Sequence, residues 1–179
     1  MQDSLFELPE EPAPTSPRPR SRGDTLPRAV AVEAPLRELA AALPQTLRLG
    51  TSSWNFPGWQ GLVWAEDYAE ARLSKQGLPA YAAHPLLRTV SLDRAFYRPL
   101  SVAQYAAYAA QVPPDFRFVV KAPSLVSDAL IRDETGRGMT ANLNFLDPDR
   151  ALRDFLDPAL AGLGSKLGAL VFQLSPLPM

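Results

Sequence analysis

Residues 86–121 run LLRTVSLDRAFYRPLSVAQYAAYAAQVPPDFRFVVK, and their reading decides the fold class. Two short apolar runs, 86–93 and 116–121, are rich in β-branched and aromatic residues and predict strands. Between them Ser101 and Gln104 have the spacing of a capping box, in which hydroxyl and amide each satisfy a backbone donor of the other. They open an Ala/Tyr helix that Pro113 and Pro114 stop. A strand, a helix and a second strand in close succession form the unit of a parallel sheet, because a parallel return needs a crossover.

The same texture extends in both directions. TLRLGTSS (46–53) reads as a strand ending in small hydroxyl residues, and the stretch from Ser74 to His84 holds a short helix with Pro79 suited to its first turn. Downstream, Asp147 and Pro148 supply an N-cap and a first-turn proline. Leu152, Phe155, Leu156, Leu160 and Leu163 then form a buried stripe, with a kink expected at Pro158 and a close at Gly162 and Gly164. GALVFQL (168–174) is a fourth strand. Only Ala122 to Leu146, around Gly136-Arg137-Gly138, lacks a sustained period, and loops of that length are usually functional or mobile. The order β-α-β-α-β-α-β suits either a small open sheet or half of an eight-fold barrel.

Composition narrows the function classes. The chain has no cysteine and one histidine, which removes disulfide frameworks and cysteine-ligated metal sites. Of its 19 prolines, eight fall in the first 44 residues. Residues 1–44 therefore read as a disordered proline-rich tail and 45–179 as the folded body. Within the tail, Leu5-Phe6-Glu7-Leu8 is a candidate docking peptide, and residues 32–42 form a helical turn or two before Pro44. Basic and acidic residues number 5 and 7 through Pro44 and 13 and 12 beyond it. Charge therefore gives a nucleic-acid role no support. No membrane span or signal peptide is legible, so the expected location is the cytoplasm.

Four segments share one further pattern. Gly50-Thr-Ser-Ser-Trp54 with Trp59 behind it, Val90-Ser-Leu-Asp-Arg-Ala-Phe-Tyr97, Asp115-Phe-Arg-Phe-Val-Val-Lys121-Ala and Leu167-Gly-Ala-Leu-Val-Phe-Gln173-Leu follow one another in a set order and spacing. In both they resemble the YecE-like family, the proteins sharing domain of unknown function 72. That family's pattern is a Gly-Thr-Ser-Gly-Trp start, a Val-Glu-Ile-Asn-Ser-Thr-Phe-Tyr strand, a Phe-x-Phe-x-x-Lys strand and a strand ending in Gln-x-Pro. The resemblance implies a TIM-like barrel, with functional groups at the carboxyl ends of the strands. A barrel typically takes ~250 residues, whereas 135 follow Pro44. The expectation is thus an α/β fold, a partial (β/α) barrel of about four parallel strands, apparently cut after the fourth. Its open edge strands are a route to self-association. Ser91 stands where the family has Glu, Asp93 where it has Asn, and Ser175 where the first proline of the last motif belongs.

Placed on that geometry, Lys121 closes the third strand and Asp93 the second. They are the candidate catalytic residues, Lys121 as a Schiff-base nucleophile or proton donor and Asp93 as a general base, with binding of an anionic ligand by Lys121 or a cross-strand ion pair as the alternatives. Asp93 shares a face with Ser91 by the period of two. Arg94, Tyr97, Thr51, Ser52, Trp54 and Gln173 are the candidate ligand-binding residues. Arg94 either turns outward or bends over the mouth, and Tyr97 either donates to a ligand or packs on Trp54 or Trp59. Trp54 suits stacking or anchoring of its loop. Thr51 and Ser52 offer hydroxyls or backbone donors to a phosphate, and Gln173 is a polar amide whose burial needs a partner. His84, ahead of the second strand, belongs to the opposite end and to a helix-end contact. Neither a Gly-x-Gly-x-x-Gly nor a Walker sequence is present, which leaves any cofactor unknown, and a metal site would need oxygen ligands around Asp93 that the sequence does not cluster. The functional expectation is a barrel protein, enzyme or binding module, for a small polar ligand such as a sugar or phosphorylated compound. An inactive fragment is the other reading.

Overall fold

The computed structural model describes residues 26–132 and 138–175. In chain order the elements are α1 (Ala34–Ala42), β1 (Leu49–Thr51), α2 (Glu70–Gln76), α3 (Leu78–Ala82), β2 (Leu87–Leu92), α4 (Arg94–Tyr97), α5 (Val102–Ala109) and β3 (Arg117–Lys121). They continue with α6 (Ser124–Ser127), β4 (Leu130–Arg132), β5 (Gly138–Ala141), α7 (Pro148–Ala151), α8 (Asp157–Leu163) and β6 (Leu167–Val171). The strands β1, β2, β3 and β6 form one all-parallel sheet in that order, and β4 and β5 form a separate antiparallel pair. The fold is α/β, with four parallel strands flanked by helices, as the sequence predicts.

Alternation along β2 and β3 sorts their side chains onto two faces. Val90, Leu92, Phe118 and Val120 are at most 1% exposed. They share the core with Tyr81 of α3, Tyr105 of α5 and Ala159 and Leu163 of α8. Burying one such apolar side chain is worth roughly 1.5–3 kcal/mol, so this helix-covered face holds the sheet together. On the other face Thr89, Ser91, Arg117, Val119 and Lys121 are only half-buried.

Two glycines permit close approaches. A Cβ at Gly50 would lie 2.6 Å from both the carbonyl carbon and the methyl of Thr89, so β1 can pair with β2 in this register only without one. A Cβ at Gly162 would meet that of Tyr105 and lie 2.6 Å from the Val102 carbonyl oxygen. Gly162 therefore seats α8 on α5 instead of closing the helix; Gly164, with φ 53°, is the residue at its end. The kink at Pro158 takes the form of a π turn over Leu152–Leu156. Proline has no N–H to donate and crowds the carbonyl one turn back, and the wider turn accommodates both defects. The capping box is present: the Ser101 hydroxyl accepts from the Gln104 N–H at 3.3 Å, and the Ser101 N–H donates to Gln104 Oε1 at 2.9 Å.

The tail boundary moves. The sequence reading ends the tail at Pro44, yet Val30 N–H donates to the Val63 carbonyl at 2.9 Å and Ala65 N–H to that of Arg28 at 3.0 Å. Arg28 also pairs with Glu66. The reason lies in the loop after β1, where Trp64 is fully buried and residues 28–30 supply the backbone partner that its neighbours need. α1 follows and ends at Ala42, ahead of Pro44. Leu5-Phe6-Glu7-Leu8 lies outside the described residues.

Candidate functional site

β2 and β3 carry the most concentrated chemistry at their carboxyl ends. Their register sets Ser91 beside Val119 and Leu92 beside Val120, so the next residues, Asp93 and Lys121, fall level with one another. Lys121 Nζ donates to Asp93 Oδ2 at 3.2 Å, and the Ser91 hydroxyl donates to Asp93 Oδ1. The carboxylate thus holds a cation on one oxygen and a hydroxyl on the other. Asp93 stands at the N-terminus of α4 without capping it through its side chain, which leaves both oxygens for this chain of contacts. The side chains of Lys121 and Asp93 remain 30% and 35% exposed. An ion pair so open gains little stability, because water screens it.

An open cavity of about 870 Å³ lies beyond the same strand ends. Tyr97 and Arg98 wall it from the β2 side, Pro123 and Leu125 from the β3 side, and Ile131 and Asn142 from the β4/β5 pair. Asn142 builds that wall. Its amide donates to the carbonyls of Leu125 and Asp128 at 2.8 Å each, and its Oδ1 accepts from the Asn144 N–H at 3.0 Å. This wall falls in Ala122 to Leu146, which reads as an aperiodic loop. A signal was present, since Leu130-Ile131 and Met139-Thr140 flank the glycines at 136 and 138 as two short runs around a turn.

The other candidates scatter. Tyr97 is 82% exposed and meets Phe96 edge to face, touching neither Trp54 nor Trp59. Arg94 turns outward, where its guanidinium donates to the Tyr108 hydroxyl at 3.3 Å. Trp54 stands edge-on to the Tyr108 ring, and its indole N–H is buried without a partner among the described residues. Trp59 belongs to an aromatic group with Phe56, Trp64 and Tyr81. Gln173 lies past the end of β6 and is exposed, so the cost of burying its amide does not arise.

Thr51 is occupied by structure. Its N–H donates to the Tyr81 hydroxyl at 3.1 Å, and its own hydroxyl lies 2.8 Å from Tyr81 and donates to the Ser53 carbonyl at 2.6 Å. Tyr81 donates in turn to the Thr89 carbonyl at 3.1 Å, so this network ties α3 to the first two strands. Burial pushes the Tyr81 hydroxyl pKa up, and the Thr51 hydrogen bonds pull it back. Ser52 is exposed. His84, beneath the amino end of β2, accepts from the Leu86 N–H at 3.3 Å, and burial lowers its pKa. Among the described residues no three of His, Cys, Asp and Glu stand close enough to hold a metal ion. No helix there is long and apolar enough to cross a membrane.

Four parallel strands with helices packed on one face and a Ser91–Asp93–Lys121 cluster at the carboxyl ends of two of them define an α/β protein. The family model for the protein of unknown function DUF72 matches residues 48–178, and the chain belongs to that family. It is similar to a crystal structure of a DUF72 family protein from Enterococcus faecalis V583, at 26% identity and TM-score 0.50 over 72% of this chain and 39% of that one. A second such structure is 27% identical with TM-score 0.41 over 55% of this chain and 35% of that one. The chain therefore spans less than half the length of these solved relatives. No curated protein matches it.

Proposed function

We propose that the chain is part of a (β/α)-barrel protein that binds a small polar ligand, a sugar or phosphorylated compound, at the carboxyl ends of its strands. The observation that carries this is the contact chain Ser91–Asp93–Lys121, half-exposed on the strand ends. Lys121 donates to the Asp93 carboxylate at a position about a third exposed, so its head group is aimed at an oxygen within reach of a ligand. We therefore assign Lys121 the role of a cation for an anionic ligand oxygen, or of a proton donor to it. Asp93 orients Lys121 and is the acceptor for a ligand hydroxyl or its proton. A soluble location in the cytoplasm belongs to the same proposal.

The test is isotope-edited NMR with a panel of sugar phosphates, with inorganic phosphate alone as control. Shifts centred on residues 91–94 and 121–125 are expected, lost in Lys121→Met and retained in Arg94→Gln. Shifts elsewhere, or a Lys121→Met chain that responds like the unmodified one, would overturn the assignment. A second reading, covalent chemistry on Lys121, predicts that borohydride traps a carbonyl compound on that residue. Turnover of a bound compound separates an enzyme from a binding module.

A further inference from the structure

The cavity of about 870 Å³ is built inside the chain: except for Ser175, its lining residues fall between Phe96 and Asn144. It is thus made by the loops that follow β2 and β3 and by the β4/β5 pair. Its size lies within the roughly 300–1,000 Å³ of small-molecule sites. The wall after β2 is pinned in its backbone. Ala95 of α4 is fully buried and Leu100 is 3% exposed. Between them Pro99 disfavours helical backbone at the residue before it, and Arg98 is extended, with φ −157° and ψ 131°. The side chains on this wall are unpaired. Among the described residues the Arg98 guanidinium has no hydrogen bond or ion pair, and the Tyr97 hydroxyl has no partner. Asp128, the acidic residue of the lining, is buried and has an interaction of its own. The remaining walls are mostly apolar, with Pro123 and Leu125 after β3 and Leu130 and Ile131 on β4. The hydrogen bonds of Asn142 to Leu125 and Asp128 hold these two walls together.

We propose that this cavity is a second ligand site, for a small molecule with an apolar, ring-bearing body and one carboxylate or phosphate group. Arg98 takes the anion, because its planar fork matches two such oxygens at once and its position is fixed before the ligand arrives. The exposed ring of Tyr97 offers a flat face to the body, and the proline, leucine and isoleucine walls remove that body from water. A free sugar fits less well, since its hydroxyls would face apolar walls that return few hydrogen bonds. The free charge in the lining is a cation, which selects an acid over an amine. The cavity shares no lining residue with Ser91, Asp93 and Lys121, so this assignment and the one at Lys121 can fail separately.

The experiment is an isotope-edited NMR titration with phenyl phosphate and benzoate, set against inorganic phosphate, acetate and phenol as their separate halves. Both probes are expected to shift residues 96–99 and 130–131 and to bind more tightly than any of the halves. Arg98→Met is expected to weaken both about tenfold or more, the usual worth of a hydrogen bond to a charged group. Ile131→Glu, which sets a like charge in the β4 wall, is expected to weaken them as well. Arg98 and Ile131 are exposed, so both variants should melt with the unmodified chain. Lys121→Met is expected to bind both probes as before. Failure of both probes to bind overturns the proposal, as does undiminished binding by Arg98→Met. Phenol binding as tightly as phenyl phosphate overturns the anion requirement, and inorganic phosphate doing so overturns the apolar body. Shifts centred on residue 121 and lost in Lys121→Met would put the probes at the other site and overturn this one.

Discussion

The helix-covered face of the sheet and the opposite face are made from the same strands, residue by residue in alternation, yet they obey different rules. Val90, Leu92, Phe118 and Val120 are sealed against three helices. Their neighbours Ser91, Val119 and Lys121, together with Asp93 just past the strand, stay half-exposed and mostly polar. The first set is chosen by volume and the second by chemistry. A parallel sheet buried on both faces would read as continuous apolar runs. Here β2 alternates instead, so polar groups reach the strand ends where ligands bind in such folds.

Truncating the sealed face should produce the largest effect. Phe118→Ala removes a fully buried ring and is expected to cost about 3–5 kcal/mol, a large share of the about 5–15 kcal/mol that holds an ordinary domain folded. Val119→Ala, one residue away on the other face, should cost less than about 1 kcal/mol by the same reasoning. Urea denaturation of both chains measures the contrast, and equal losses would mean that the outer face is packed after all. Gly162→Val comes next. Its side chain would force Tyr105 and the Val102 carbonyl apart, at an expected cost of about 1–3 kcal/mol.

Much of this contrast was legible in the sequence. The period of two placed Asp93 with Ser91, the ends of neighbouring strands offered Lys121 as its ion-pair partner, and the capping box and prolines fixed α5 between the strands. What escaped was set by contacts distant in sequence. The attachment of residues 28–30 depends on Trp64, whose burial no local pattern announces. Thr51 looked like a phosphate ligand because a hydroxyl at a strand end has no visible owner until Tyr81 is folded against it. The β4/β5 pair hid because three- and four-residue strands are too short to show a period.

Tyr105 offers a smaller effect with an opposite sign. Its hydroxyl is buried without a partner among the described residues, and burial pushes its pKa up to about 12. An unsatisfied buried group of this kind costs about 1–3 kcal/mol, so Tyr105→Phe should stabilise the fold, by about 1 kcal/mol. The pH dependence follows. Between the ordinary tyrosine value near 10 and 12 the unfolded chain loses this proton while the folded chain keeps it, so stability falls as pH rises. Tyr105→Phe should lose that part of the alkaline decline, read from melting temperatures across the range. An unchanged decline would show that the hydroxyl has found a partner.

Asp93→Asn should have the smallest effect on stability and the most specific effect on the site. The amide has about the volume of the carboxylate, and its oxygen can still accept from Ser91 or Lys121. The ion pair it removes is about a third exposed, and such pairs contribute about 0–1 kcal/mol. What the substitution takes away is the negative charge that balances Lys121, so the ammonium is left to seek another anion. A chain carrying Asp93→Asn is therefore expected to melt within a few degrees of the unmodified protein and to respond more strongly to inorganic phosphate at residues 121–125 by NMR. A loss of stability comparable to that of Phe118→Ala would place Asp93 and Lys121 among the groups that hold the sheet together. The distinction between the two faces would then collapse at its most informative point.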